Sequence, residues 1–230
     1  EKLHTKLFKE LSDYNYSGSV IYSGFVEPLL DKNIYELIGT ARKYLPLSNI
    51  EIITNGDVLN KDRLKKLFDK GLTTILISVY DSKEDAELFE ELCVGSGLKK
   101  EQYVIRHRYL PPEQDYGITM SNRGGLLKDA VHSIQPLAKS LKAPCYYPSY
   151  TFFVDYNGDV LMCSHDWGKK NILGNLNKQT FFEIWTGHLS SLARKKLNKG
   201  NRNFSPCDVC DVQGTLIGKS HSDAWNKIQD

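Results

Sequence analysis

Strand-like and helix-like segments alternate along the first two thirds of the chain. Short apolar runs, such as IEIIT (50–54) and TTILISVY (73–80), are followed by longer segments in which apolar side chains recur at helical spacing. Parallel strands produce this alternation, because a helix must carry the chain back before the next strand can pair in the same direction. The sequence therefore predicts an α/β fold in which ligands bind at the carboxyl ends of the strands.

The same patterns predict where the individual elements lie. We expect strands at 18–24, 50–54, 73–80 and 103–110. We expect helices at the N-terminus, within 31–44, at 60–70, 82–94 and 181–197, and near Trp225. Residues 151–163 are expected to form a β-hairpin that turns at Asn157 and Gly158. Thr180 and Glu183 have the spacing of a capping box at the start of the 181–197 helix.

Composition excludes several classes of protein. The net charge of +2 is too small to indicate a nucleic-acid-binding protein, and the basic residues near Arg194 and Arg202 are typical of a solvated helix face. The sequence contains no apolar run of about 18 residues, so we expect no membrane partner. The charged N-terminal segment lacks the apolar core of a signal peptide, and the expected location is the cytoplasm.

A change of composition suggests two domains. Residues 111–144 are enriched in proline and glycine, as in a linker or an irregular crossing segment. We place the boundary near 135, with an α/β domain at 1–135 and a small α+β cysteine-rich module, containing the hairpin and a helix, at 136–230.

The cysteines in the last part of the chain have the spacing of metal ligands. Cys207 and Cys210 form a C-x2-C motif, and Cys145 and Cys163 bracket the predicted hairpin. In a reducing compartment such a set indicates a metal site before disulfides, and four thiolates suit either zinc or a 4Fe-4S cluster. Cys93 lies in the apolar segment LFEELCVGSG and is expected to be a buried core thiol.

The surrounding sequence resembles a known family. Cys145 and Cys163 form C-x12-G-x4-C, followed by SHDW, GN, EIW and then C-x2-C. This pattern resembles the SPASM domain of radical S-adenosylmethionine (SAM) enzymes, in the shortened form called the twitch domain, and is similar to the 2-deoxy-scyllo-inosamine dehydrogenase type. Full SPASM domains have further cysteines, whereas Leu216 stands where the next would be. The resemblance implies a single auxiliary 4Fe-4S cluster bound by Cys145, Cys163, Cys207 and Cys210.

The resemblance extends to the α/β part, which it implies is a partial (β/α)6 radical SAM barrel lacking its first strand. YSGFVEPLLD (22–31) stands where the family has a GGEP-like motif, with Val26 in place of a glycine, and ITNGD (53–57) resembles its ribose-side motif. Without this context, the two segments would be interpreted as a strand-end loop and an Asn-Gly turn. The residues that the resemblance assigns to SAM binding are Gly24, Glu27, Pro28, Asn55, Ser78 and Arg106.

The family's catalytic motif, C-x3-C-x2-C, does not occur in this sequence. In the family that motif precedes the first helix, and this sequence begins on a predicted helix. We therefore expect that the motif precedes Glu1 in a longer chain, and a second 4Fe-4S cluster is expected only in that case. The alternative is a degenerate relative that has lost the catalytic cluster.

The resemblance implies a radical SAM oxidoreductase. Such enzymes cleave SAM reductively, abstract hydrogen from the substrate and oxidise it, with the auxiliary cluster as electron acceptor or structural element. The implied partners are a small-molecule substrate, such as a carbohydrate, or a peptide, together with an electron donor such as flavodoxin or ferredoxin. His165 and Asp166 are interpreted either as groups that act on the cluster or substrate, or as structural polar residues.

Two other functions remain open at this stage. The first is a non-enzymatic binding or scaffold protein with a structural four-cysteine zinc site. The second is a domain that binds SAM without cleaving it.

Overall fold

The structure is a computed structural model that describes residues 2–110, 120–129 and 133–229. The other residues, which include part of the predicted proline- and glycine-rich linker, lie outside the described chain. The molecule divides into two compact units, residues 1–119 and 120–230. The sequence-based boundary near 135 falls within the second of them. Among the helices that the structure describes, none is both long enough and apolar enough to cross a bilayer.

The first unit confirms the predicted alternation of helices and strands. Its elements follow one another in the order α1 (Lys2–Asp13), β1 (Val20–Tyr22), α2 (Ile34–Tyr44), β2 (Ile50–Thr54), α3 (Lys61–Asp69), β3 (Thr74–Val79), α4 (Lys83–Gly95) and β4 (Tyr103–His107). Asn60 and Ser82 cap the N-termini of α3 and α4 by accepting hydrogen bonds from the main chain of the first turn.

A parallel sheet forms the centre of the first unit. The strands lie side by side in the order β1-β2-β3-β4, and each pairs with its neighbour in parallel. The side chains of β3 are buried along nearly its whole length, as expected for a central strand of a parallel sheet, which pairs with a strand on each side. Cys93 on α4 is fully buried, which confirms the prediction of a core thiol.

The second unit is built from shorter elements. They follow the order α5 (Tyr147–Tyr150), β5 (Phe153–Val154), β6 (Asp159–Leu161), β7 (Ile172–Asn175), α6 (Phe181–Trp185), α7 (His188–Asn198) and α8 (Lys219–Gln229). The hairpin of β5 and β6 turns at Gly158, whose φ of +88° lies in the region that favours glycine. The predicted hairpin is therefore confirmed, and β7 extends it to an antiparallel sheet.

A short helix, α5, stands between Cys145 and the first hairpin strand. Two predictions in this unit are wrong. Arg194 and Arg202, expected on a solvated helix face, are 0% and 2% exposed. The helix expected at 181–197 is broken into α6 and α7 at Gly187, whose extended backbone begins α7. A Cβ at Gly187 would lie 2.6 Å from the Glu183 carbonyl oxygen, so the close approach at the break requires glycine. The capping box of Thr180 and Glu183 is confirmed.

Candidate functional site

The residues predicted to bind SAM lie along the carboxyl edge of the parallel sheet. Ser78 and Arg106 are the next-to-last residues of β3 and β4 and pair with each other across the two strands. Asn55 directly follows β2, and Gly24, Glu27 and Pro28 lie in the loop after β1. Ligands of parallel sheets bind at this edge, because the loops that follow the strands converge there.

Glu27 joins the ends of two neighbouring strands. Its Oε1 accepts hydrogen bonds from the Leu29 main-chain N–H at 3.0 Å and from the Thr54 hydroxyl at 2.7 Å. Its Oε2 accepts from the Asn55 main-chain N–H at 2.9 Å. An ionised carboxylate has about four acceptor positions, and the described residues occupy three of them, which leaves room for a further donor such as an ammonium group.

The loop around Glu27 needs its glycine and its proline. Gly24 has a φ of +124°, a backbone conformation that side chains other than glycine rarely adopt. Pro28 is buried at the first position of a short 3-10 helix, Pro28–Leu30, for which Glu27 is the N-cap. Val26, which stands where the family has a glycine, is 75% exposed. This exposure keeps the Val26 side chain out of the packed interior.

Asn55 is part of a tight turn at the end of β2. Its side-chain amide donates to the Asp57 carboxylate at 2.7 Å and its amide oxygen accepts from the Asp57 main-chain N–H at 3.2 Å. The Asn-Gly turn is therefore present, and it lies at the carboxyl edge of the sheet, where the ribose-side motif was predicted.

The cysteine cage, which we define as Cys145, Cys163, Cys207 and Cys210, lies within the second unit. Cys145 precedes α5, Cys163 is the second residue after β6, and the C-x2-C motif lies between α7 and α8. Cys207 is buried and the other three are partly buried.

Burial and mutual proximity raise the pKa of these thiols. Burial is the main cause, and it raises the pKa of Cys207 to about 12 and that of Cys210 to about 11. The pKa of Cys163 is raised well above its usual value, first by burial and further by the charges of the other three cage cysteines. The four thiols are therefore electrostatic neighbours.

The donor set fits an iron-sulfur cluster. The cage supplies four soft thiolate ligands. Three of its thiols also accept a main-chain N–H hydrogen bond that lowers the pKa of the thiol. The donors are Tyr147 for Cys145, His165 for Cys163 and Val212 for Cys210. Hydrogen bonds of this kind stabilise thiolates and are common around clusters. Within the described residues, no group of three or more His, Cys, Asp or Glu side chains is placed to hold a metal ion. The fit therefore depends on ligand chemistry and chain position.

His165 and Asp166 have separate structural partners. His165 Nδ1 lies 2.8 Å from the Ser121 hydroxyl, and Nε2 lies 3.0 Å from the Tyr147 hydroxyl. Burial, followed by the charge of Arg123, lowers the pKa of His165 to about 4. Asp166 is fully buried and accepts hydrogen bonds from the main chain of residues 170 and 171. Asp166 thus closes the turn after Cys163.

The sequence reasoning missed a loop that packs against the C-x2-C motif. Asn122 is fully buried, and its side chain donates to the carbonyls of Val209 at 2.7 Å and Gln135 at 3.1 Å. Its main-chain N–H donates to both carboxylate oxygens of Asp211, at 3.0 and 2.9 Å. Asn122 and Asp211 are 89 residues apart in sequence, and no local sequence pattern predicts a contact over that separation.

A comparison with proteins of known function identifies the family. The chain is 30% identical over 210 residues to the S-adenosyl-L-methionine-dependent 2-deoxy-scyllo-inosamine dehydrogenase of Niallia circulans, and the match covers 90% of this chain and 77% of that protein. The chain belongs to this family of radical SAM dehydrogenases. It is therefore an enzyme, an oxidoreductase, and the predicted resemblance is confirmed.

The other matches agree with the family. Residues 145–211 match the SPASM family, described as an iron-sulfur cluster-binding domain. A crystal structure of BtrN in complex with AdoMet and 2-DOIA superposes with a TM-score of 0.75 and 25% identity, covering 96% of this chain and 83% of that one. The structure of anSMEcpe with bound AdoMet, at 13% identity and a TM-score of 0.56, shares the fold. The predicted α/β radical SAM fold and the predicted cofactor types, a 4Fe-4S cluster and SAM, are thereby confirmed for the family.

Proposed function

We propose that this enzyme oxidises a secondary alcohol of a small polar molecule of the aminocyclitol type, using SAM and an auxiliary 4Fe-4S cluster. The observation that carries the proposal is the match over 90% of the chain to a dehydrogenase whose name specifies an inosamine substrate. The BtrN structure, which contains AdoMet and 2-DOIA, supports the same class of substrate. Carbohydrate and peptide substrates are the alternatives that the assay below distinguishes.

When bound, SAM and reduced iron-sulfur supply reductive SAM cleavage, hydrogen abstraction from the substrate and uptake of the electron that the substrate loses. Oxidation of a secondary alcohol to a ketone releases one hydrogen atom, one electron and one proton. The electron requires an acceptor, which we assign to the cluster of the cysteine cage. We expect a flavodoxin or ferredoxin to supply the reducing electron.

The first unit is proposed to bind SAM. Gly24 allows the main chain to approach the amino end of SAM, and the acceptor position that remains on Glu27 is suited to its ammonium group. Asn55 is proposed to bind the ribose, since its turn lies at the end of β2. Arg106 is proposed to pair with the SAM carboxylate, and Ser78 lies beside it on β3.

The second unit is proposed to hold the auxiliary cluster. The thiols of the cysteine cage are its ligands, and their partial or full burial limits the access of water and oxygen. Main-chain N–H groups that act on Cys145, Cys163 and Cys210 stabilise the ionised thiols and so offset part of the pKa rise caused by burial. The neighbouring Ser121–His165–Tyr147 chain fixes the orientation of the His165 ring beside Cys163.

Metal analysis of the anaerobically reconstituted 230-residue chain tests the cluster. We expect about four irons and four sulfides per chain, since one four-thiolate site binds one 4Fe-4S cluster. One zinc with no iron would instead support a structural zinc site and contradict the proposal.

Turnover tests the reaction in a chain that also carries the expected C-x3-C-x2-C segment. With dithionite, SAM and 2-deoxy-scyllo-inosamine, we expect 5'-deoxyadenosine and the corresponding ketone in equal amounts. A matched assay uses an inosamine with deuterium at the carbon to be oxidised, which should transfer to 5'-deoxyadenosine. Binding of SAM without 5'-deoxyadenosine formation would contradict the proposed reaction.

A further inference from the structure

Arg202 is buried in the second unit with all its hydrogen bonds to main-chain carbonyls. The side chain is 2% exposed. Its Nε donates to the Ala143 carbonyl at 2.9 Å and its Nη1 to the Val212 carbonyl at 2.6 Å. Its Nη2 donates to the carbonyls of Pro144 at 2.8 Å and Gln213 at 2.5 Å. The guanidinium therefore joins two separate segments of the chain.

Each of these segments carries a cysteine of the cage. Residues 143 and 144 directly precede Cys145, and residues 212 and 213 follow Cys210 by two and three positions. A main-chain hydrogen bond of 2.8 Å from Tyr146 N–H to the Gly214 carbonyl runs beside the guanidinium contacts. Because the fork of a guanidinium is planar and rigid, its hydrogen bonds set the distance between the Cys145 segment and the Cys210 segment.

Arg202 brings a positive charge without a carboxylate partner. Its acceptors are neutral carbonyls, and none of the ion pairs found between described residues includes it. A buried cation is unfavourable unless an opposite charge compensates it. Burial raises the pKa of Cys145, Cys207 and Cys210, and the charge of Arg202 opposes that rise at each of the three thiols.

We propose that Arg202 is a positioning residue of the cysteine cage that both fixes the spacing of its two halves and raises the reduction potential of the bound cluster. This inference rests on the proposed function, in which the cage binds a 4Fe-4S cluster. Four thiolates give the bound cluster a net negative charge, and one-electron reduction makes that charge more negative. A fixed cation nearby therefore favours the reduced state. This shift favours transfer of an electron from the substrate to the cluster.

Two substitutions separate the charge from the hydrogen bonds. Arg202→Met removes both, whereas Arg202→Lys keeps the charge but cannot reproduce the planar fork. Arg194→Met is the matched control, because Arg194 is also fully buried in this unit but stacks between Trp185 and Trp225. Iron content, the reduction potential by EPR-monitored titration, and the rate of iron loss to a chelator are measured in each anaerobically reconstituted chain.

For Arg202→Met we expect a reduction potential more negative by at least about 59 mV, which is a tenfold loss in the equilibrium constant for one-electron reduction. For Arg202→Lys we expect a potential near that of the wild type but iron loss at least about tenfold faster, since a free-energy change of 1.4 kcal/mol corresponds to a factor of ten. Arg194→Met should keep the wild-type potential.

The outcomes distinguish this inference from the proposed function. A wild-type chain that binds zinc and no iron would overturn both. A wild-type chain with four irons, together with an Arg202→Met chain of unchanged potential, would overturn only the role of Arg202. If Arg202→Met does not fold, Arg202→Lys decides: faster iron loss at a near-wild-type potential supports the inference, and iron loss as slow as in the wild type overturns it.

Discussion

The two units of this enzyme differ in what fills their interiors. The sheet of the first unit is packed with aliphatic side chains that are fully buried, such as Ile52, Leu67 and Ile75. The interior of the second unit contains ionisable and polar side chains at similar burial, among them Arg194, Arg202 and Asp166. Aliphatic burial stabilises a fold without any ligand, whereas buried charges require partners.

Because of this difference, we expect the structure of each unit to depend on its cofactor to a different extent. In the first unit, the ligand-binding edge is held by the strands and by the three hydrogen bonds to Glu27, so its shape is expected to precede SAM binding. In the second unit, the four neighbouring thiols and the Arg202 guanidinium, which forms no ion pair with another described residue, are expected to be compensated by a bound cluster. The stability of the second unit is therefore expected to depend on iron much more strongly.

The largest effect should come from removing a cage ligand. In Cys163→Ser we expect complete loss of the bound cluster, since the hydroxyl is a poor substitute for a thiolate and the site is buried. Iron and sulfide per chain provide the measurement. Cys93→Ser changes a buried cysteine of the first unit and is the matched control, which should retain iron. Equal iron loss in both variants would show that the two units do not differ as proposed.

A core truncation should produce the opposite pattern. Leu67→Ala removes a fully buried side chain from α3, and we expect destabilisation by about 2–5 kcal/mol. Urea unfolding followed by circular dichroism measures the change, and iron content should stay at the wild-type level. Lys70→Ala, which breaks an exposed ion pair with Glu36, should change stability by less than about 1 kcal/mol. Iron loss in Leu67→Ala would contradict the proposed difference, in which iron binding does not depend on the core of the first unit.

Asn122 tests how strongly the second unit depends on buried polar contacts. Asn122→Ala removes the side-chain donor to the Gln135 carbonyl and one of two donors to the Val209 carbonyl, which keeps the Leu137 main-chain N–H. We expect a loss of about 1–3 kcal/mol. Because Val209 lies between the two cysteines of the C-x2-C motif, iron should also leave faster when a chelator is added. Asn203→Ala, at an exposed position, is the control with little expected change. Unchanged iron release in Asn122→Ala would show that this loop does not stabilise the cage.

The smallest effect is expected at the SAM-binding edge. Glu27→Gln removes the charge that we assign to the SAM ammonium group, and we expect SAM to bind about tenfold more weakly, or about 1.4 kcal/mol. Isothermal titration calorimetry measures the dissociation constant, with the exposed Glu36→Gln as control. Circular dichroism should remain that of the wild type. If affinity is unchanged, the function of Glu27 is limited to joining β1 and β2.

The sequence predicted the first unit better than the second for a physical reason. Strands and helices such as β2, β3 and α3 follow from local periodicity and caps, which are visible within about ten residues. The cysteine cage stays a prediction from cysteine spacing, although residues 145–211 do match an iron-sulfur cluster-binding domain. The roles of Arg202 and Asn122 could not be predicted, because their side chains donate to main-chain carbonyls that are 10 to 87 residues away. Every residue has a main-chain carbonyl, so the accepting residue leaves no signal in the sequence.

The long-range contacts of the second unit also limit the order in which a ribosome can complete the enzyme. Strands and helices that are adjacent in sequence can pack together as they leave the ribosome, because their contacts are local. The contacts of Asn122 with residues 209 and 211 can form only after residue 211 has been synthesised, and those of Arg202 with residues 143 and 144 only after residue 202. A cluster bound by all four cysteines of the cage is therefore expected to be inserted only after Cys210 has been synthesised.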